Sequence, residues 1–205
     1  MKRGLLCLLL FLPLTGCRMV PYAHELEATM LVQVLGVDWT DAGVTLTAAS
    51  DPNTGSGDTS TAVLSADGET LERAKAALQG AGEEYVSLTH VTQLVLGADS
   101  DLPAVLEAAL EEPALGQGAT VWLVETGTAQ ELLTGANGGA KRLSSIELNA
   151  GVEPVTVLQG LMRLEQEGKV ELPLLKLEEE TLSPAGSRVV WRETAWEMTY
   201  CRYGR

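Results

Sequence analysis

Apolar and polar residues alternate along this chain with a period that changes from segment to segment, and the changes divide it into elements. Leu5 to Leu14 is an almost wholly apolar block of about ten residues, where a membrane-spanning helix needs roughly 20. Residues 18–25 carry no period and read as a tether. Thr29 to Val37 (T-M-L-V-Q-V-L-G-V) is apolar and rich in branched side chains, which predicts a buried strand. Asp38-Trp39-Thr40-Asp41-Ala42-Gly43 carries turn chemistry, and from Val44 to Ser50 the residues Val44, Leu46 and Ala48 alternate with Thr45 and Thr47. Together these predict a hairpin. Asp51 to Ser60 is the most polar stretch and predicts a surface loop, followed by a third strand over Thr61 to Ser65.

The period then turns helical. Gly68-Glu69-Thr70-Leu71 opens a helix to about Gln79, with Leu71, Ala74 and Leu78 on one face and Gly80-Ala81-Gly82 as its stop. Thr89 to Leu96 predicts a fourth strand with His90 at its start. Asp101 is placed to cap a second helix, with Pro103 in its first turn, a stripe of Leu102, Val105, Leu106, Ala109 and Leu110, and a stop at Pro113. Ala119 to Val124 predicts a fifth strand, and Thr128 caps a helix through Leu133. Gly135 to Lys141 is Gly-rich and reads as a linker and a boundary. A longer helix is expected from Pro154 to Glu167, with Val155, Leu158, Leu161, Met162 and Glu165 at helical spacing. Val170 to Leu177 is strand-like, and Pro173 assigns it to a sheet edge. Ser187 to Tyr200 holds Val189-Val190-Trp191 and a second strand-like run around Trp196.

Strands come first and then alternate with helices, which predicts α+β, or α/β with an antiparallel portion. The expected architecture is α+β: a mixed, largely antiparallel sheet packed with several helices. Residues 29–134 would form an N-terminal α+β domain and 135–205 a second, smaller segment. Leu31, Val34, Leu46, Leu71, Leu94, Leu106, Val121 and Leu123 are the expected core.

The N-terminal block acquires meaning from its flanks. Lys2 and Arg3 precede it and Leu14-Thr15-Gly16-Cys17 follows, the layout of a secretory signal over residues 1–16. The L-T-G-C cut site resembles a bacterial lipobox, which implies that Cys17 receives diacylglycerol and further acylation such as palmitate and becomes the mature N-terminus. Residues 17–28 are then a lipidated Cys and tether, and two acyl chains hold where one is marginal. An ordinary signal peptide with a chance Cys, or an uncleaved anchor, are the alternatives.

Charge excludes several partners. The formal net charge is −14, and removing Lys2 and Arg3 with the signal, which has no acidic residue, makes it −16. Such a chain repels nucleic acid and anionic lipid headgroups. Cys7 leaves with the signal, Cys17 would be acylated and Cys201 remains alone, so no intramolecular disulfide is expected.

Catalytic chemistry is sparse. The two His are His24, in the tether, and His90, read as structural; H-E-x-x-H, C-x-x-C and G-x-S-x-G do not occur. Asp51, Asn53 and Gly57 have a faint calcium-loop spacing, but Ala62 stands where a bidentate Glu is needed. In the Gly135–Lys141 loop Arg142 stands where a phosphate-binding loop needs Ser or Thr. The acidic runs Glu111-Glu112 and Glu178-Glu179-Glu180 read as solvated faces. No catalytic residue, metal site or cofactor is expected, and the chain is not read as an enzyme.

The order of features resembles the N-terminal part of the Ger(x)C family, the lipoprotein subunits of spore germinant receptors. A lipobox and acidic tether (Cys17, His24-Glu25-Leu26-Glu27) precede a strand ending Gly36-Val37-Asp38. Then come a G-x-T-L-x-x-A helix start (Gly68 to Ala74), an H-x-x-x-[LIV]-[LIV]-[LIV]-G strand (His90 to Gly97) and G-x-A-x-E-L-L (Gly127 to Leu133). The match is closest over residues 14 to 135 and looser at Leu172-Pro173. The resemblance implies a non-enzymatic subunit beside integral-membrane receptor partners, on the outer face of the inner spore membrane. It also implies a further C-terminal domain, relative to which the segment 135–205 is truncated, and the final segment from Arg192 departs from the family pattern. Another surface lipoprotein, a solute-binding or envelope-assembly module, is the alternative function.

Overall fold

The computed structural model describes residues 29–51, 62–112, 117–136, 139–149, 152–192 and 199–200. Leu14, Thr15, Gly16 and Cys17, the tether with His24, most of the polar loop after Asp51, Trp196 and Cys201 lie outside them.

A two-residue turn at Asp41-Ala42 folds β2 (Val34–Thr40) onto β3 (Gly43–Ser50), with Thr40 opposite Gly43. Gly43 has φ +135° and a Cβ there would meet the Gly68 carbonyl oxygen at 2.7 Å, so only glycine closes this hairpin. β3 pairs antiparallel with β4 (Ala62–Gly68). On its other side β2 runs parallel to β6 (Gln93–Leu96), β6 to β7 (Thr120–Val124), and β7 to β8 (Lys169–Glu178). β8 turns back antiparallel into β9 (Thr181–Trp191), and β10 (Thr199–Tyr200) pairs with β9. The resulting eight-stranded sheet has the order β10-β9-β8-β7-β6-β2-β3-β4, with four antiparallel ladders and three parallel ones among the described residues. The fold is α+β with a mixed, mostly antiparallel sheet, as its strand-first pattern predicts. β8, from the segment after residue 135, hydrogen-bonds into the same sheet as the strands before it.

Period-2 alternation in the strands gives the sheet two apolar faces, and helices cover both. Leu35, Leu46, Leu94, Val121 and Leu172 share one face with α1 (Leu71–Ala81), α2 (Leu102–Glu111) and α5 (Val157–Glu167). Val34, Val95, Trp122 and Leu175 share the other with α3 (Ala129–Gly135) and α4 (Gly139–Asn149). Of the expected core residues, six are buried, while Leu31 and Leu71 are half-buried.

Several expectations are corrected. The single strand from Thr29 to Val37 is two: β1 (Thr29–Leu31) leaves the main sheet to pair in parallel with β5 (Tyr85–Ser87). The break falls at Gln33, whose carbonyl accepts from both Thr92 and Gln93 N–H. Asp38 to Thr40 continue β2 rather than forming the turn. His90 sits in a turn, because β6 begins only at Gln93. β8 is interior: its ladder to β7 covers only Leu174 and Leu175, so Pro173 interrupts no rung there. The linker expected through Lys141 gives way to α4 from Gly139. α5 buries Val157, Gly160 and Leu164, leaving Leu158 40% and Met162 47% exposed, because Gly160 lets the helix approach Leu106.

Candidate functional site

Asp38 lies at the C-terminal end of β2, where the side chain points to the face covered by α3. Its Oδ1 accepts from Ala129 N–H at 2.7 Å and its Oδ2 from Gln130 N–H at 3.1 Å. These are two of the donors that a helix N-terminus leaves without intrahelical partners. Thr128 and Glu131 add a capping box, the Thr128 hydroxyl accepting from Glu131 N–H at 3.0 Å and the Glu131 carboxylate from Thr128 N–H at 3.2 Å.

Glycines make this convergence possible. A Cβ on Gly36 would meet Leu133 Cδ1 at 2.8 Å, so its absence lets α3 lie close on the sheet. A Cβ on Gly97 would sit 2.0 Å from Asp38 Oδ1, in the place the carboxylate occupies. Around them, Gly97 N–H donates to the Val37 carbonyl, Ala98 N–H to the Gly127 carbonyl, and Asp101 N–H to the Trp39 carbonyl. Ser100 Oγ donates to the Val37 carbonyl and accepts from Trp39 N–H. From the far side of the sheet the fully buried Arg188 donates to the carbonyls of Ala98 and Glu125.

Electrostatics at Asp38 are in opposition. Burial pushes its carboxyl above the usual Asp value, and the nearby Glu131 charge adds to that, while the N–H bonds from Ala129 and Gln130 pull it down. In open sheets with parallel strands, ligands bind at the carboxyl ends of the strands. Here the chain's own carboxylate, helix terminus and loop converge at that position, and Asp38 and Thr128 also line an open groove of about 500 Å³ with Thr40, Asp67 and Glu69.

A second aspartate does the same for the next helix. Asp51, at the end of β3, is buried, and its Oδ2 accepts from Lys141 N–H in the first turn of α4 at 2.6 Å. The residue with the faint calcium-loop spacing is therefore a helix cap. α4 is further held by Glu147, which accepts from Gln93 Nε2 and Thr120 Oγ1, both at 2.9 Å; Gln93 in turn accepts from Trp122 Nε1 at 2.6 Å.

His90 is exposed, with Nδ1 3.1 Å from Thr89 Oγ1. It lines an open groove of about 640 Å³ with Gln33, Thr92, Lys141, Ser144 and Leu148. Among the described residues no carboxylate lines this groove. Of the acidic runs, Glu178-Glu179-Glu180 is exposed, with Glu178 paired to Lys176 at 2.6 Å, while Glu112 is half-buried and pairs with Lys75. Among the described residues no group of three or more His, Cys, Asp or Glu is placed to hold a metal ion. No helix among them is long and apolar enough to cross a membrane.

Sequence reading singled out Gly36-Val37-Asp38, His90 to Gly97 and Gly127 to Leu133 separately, and the structure joins all three at Asp38. It missed the joint itself. The available signal was the glycines, which a strand end or helix start tolerates poorly without a close neighbour.

No curated protein and no solved structure matches the chain. The family model described as the spore germination protein N-terminal domain matches residues 22–177, most of the chain and all three converging motifs. The chain belongs to the Ger(x)C family of spore germination proteins and carries that family's N-terminal domain.

Proposed function

We propose that this chain is the lipoprotein subunit of a spore germinant receptor complex. Acyl chains on Cys17 hold it at the outer face of the inner spore membrane, and it acts through contacts with integral-membrane receptor subunits rather than by catalysis. One observation carries the reading beyond family membership: the motif residues Gly36, Asp38, Gly97 and Ala129 close an internal clamp between β2, β6 and α3, beside an open groove that Asp38 and Thr128 also line. A module whose most specific residues hold its own frame presents a surface to partners. The formal charge of −14 favours standing off anionic headgroups, with the lipid as the only hold.

The test is genetic and biochemical. Cys17→Ala should abolish acyl-chain incorporation, leave unprocessed precursor and slow germination. His90→Gln should leave germination intact. Affinity purification from detergent-solubilised spore membranes should recover integral-membrane receptor subunits with the wild type. A folded, membrane-held His90→Gln protein that is inactive would refute the non-catalytic reading, and normal processing and retention of Cys17→Ala would refute the anchor.

A further inference from the structure

The two edges of the main sheet are treated differently. At one end, β10 pairs with β9 at Arg188 and Val189 among the described residues. The rest of that edge carries Pro184, a register shift opposite Leu174/Leu175 and Gly186 at φ +121°, devices that blunt strand addition. At the other end, β4 runs in unbroken register with β3 from Ala62↔Ser50 to Gly68↔Val44. It contains no proline, lysine or arginine.

The direction of its backbone groups follows from the hairpin. The two-residue turn makes Thr40↔Gly43 a hydrogen-bonded pair, so alternate β3 residues from Gly43 face β2. The Gln33 N–H bond to the Ala49 carbonyl has the same parity. Val44, Leu46, Ala48 and Ser50 then face β4 and bond Gly68, Ala66, Leu64 and Ala62. Val63, Ser65 and Asp67 consequently turn their N–H and C=O outward. Among the described residues no backbone hydrogen bond takes them.

The rim is acidic. Asp67 and Glu69 are exposed at the C-terminal end of β4. Glu83 and Glu84, also exposed, follow Gly82, whose added Cβ would lie 2.9 Å from Leu64 Cδ1. Arg73 offsets Glu69 and Lys75 offsets Glu112, which leaves Asp67, Glu83 and Glu84 as the surplus negative charge of the rim. A second copy brought edge to edge would set like charges against each other.

We infer that the edge of β4 is a docking site for an extended, basic segment of another protein, which adds as a ninth strand through the outward groups of Val63, Ser65 and Asp67. Main-chain hydrogen bonds supply the pairing and the acidic rim selects basic side chains. This does not depend on the lipid anchor or on membership of a receptor complex.

The experiment is amide hydrogen exchange on the full chain, alone and with a short blocked peptide of alternating lysine and valine. Val63, Ser65 and Asp67 should exchange freely alone and at least about tenfold more slowly with peptide. The effect should weaken with added salt and be absent with a glutamate–valine peptide. Ser65→Pro removes an outward N–H and no rung to β3, so it should abolish peptide protection without lowering the thermal midpoint below that of Ser65→Ala, which shares the loss of the Thr47 hydroxyl contact. Four results overturn the inference: these amides already protected in the dilute free chain, protection that grows with protein concentration, peptide protection elsewhere only, or equal binding of the glutamate–valine peptide.

Discussion

Replacing Gly97 by alanine tests whether the three motifs form one joint. The new Cβ would fall 2.0 Å from Asp38 Oδ1. Ordinary non-bonded separations are ~3.5 Å, so the carboxyl must retreat by roughly 1.5 Å. That breaks its bonds to Ala129 N–H at 2.7 Å and Gln130 N–H at 3.1 Å. Hydrogen bonds to a charged group contribute about 1.5–3 kcal/mol each, and loss of a helix cap costs about 0.5–2 kcal/mol. These figures overlap, since they describe the same N–H groups, so the expected loss is about 2–4 kcal/mol. For a chain of this size each kcal/mol lowers the thermal midpoint by ~2–4 °C, giving a drop of roughly 5–15 °C by circular dichroism. The decisive assay is a double-mutant cycle with Asp38→Ala. Once the carboxylate is gone, Gly97→Ala should cost no more than about 1 kcal/mol, the remainder reflecting Ser100 Oγ at 3.2 Å. Equal cost in both backgrounds, or none in the wild type, would refute the joint.

Other expected outcomes rest on the packing and turns described above. Leu106 is fully buried between α2 and α5, and Leu106→Ala should destabilise by about 2–5 kcal/mol in denaturant unfolding. Glu179 and Glu180 form the two-residue turn between β8 and β9 with φ +48° and +63°, so replacing the pair by Asn-Gly should stabilise by about 1–2 kcal/mol. Asp38 has a folded-state pKa above its unfolded value, so the native state holds its proton more tightly. Its contribution is therefore fully present below the unfolded value and lost as pH rises through the raised one. Stability measured against pH should show that decline in the wild type and lack it in Asp38→Asn.

How much of this was legible depends on how local each cause is. Asp101 and Thr128 were readable as caps because each accepts from a backbone N–H three residues ahead, and Thr70, read only as part of a helix opening, caps α1 in the same way. β6 and β7 were readable because strands buried on both faces are continuously apolar. α4 was not, since it begins in a Gly-rich run and its acceptor, Asp51, lies 90 residues earlier. β5 is three residues long and, among the described residues, pairs only with β1, too short for a period. The stripe read on α5 was partly misplaced: Val155 and Leu161 pack on the core, but Leu158 and Met162 are exposed, because Gly160, which lets that helix approach Leu106, has no hydrophobic side chain to count. Pro173 suggested an edge because sequence shows a missing donor but not which rungs exist. The three motifs were visible as words, yet their meeting at Asp38 is a property of sheet order.

The two aspartate caps also set an order of assembly. Asp38 and Ala129 are 91 residues apart in sequence, and Asp51 and Lys141 are 90. α3 has seven residues and α4 eleven, below the ~12–15 at which an isolated helix is even marginal. Neither helix can persist until the chain has closed a loop of that length and brought β2 and β3 to it. The covering of that face is thus a late event in folding, slowed by long-range closure. A nascent chain in which residues 129–149 have not yet emerged would leave Val34, Val95 and Trp122 open to water, and that interval is when the protein is most exposed to aggregation.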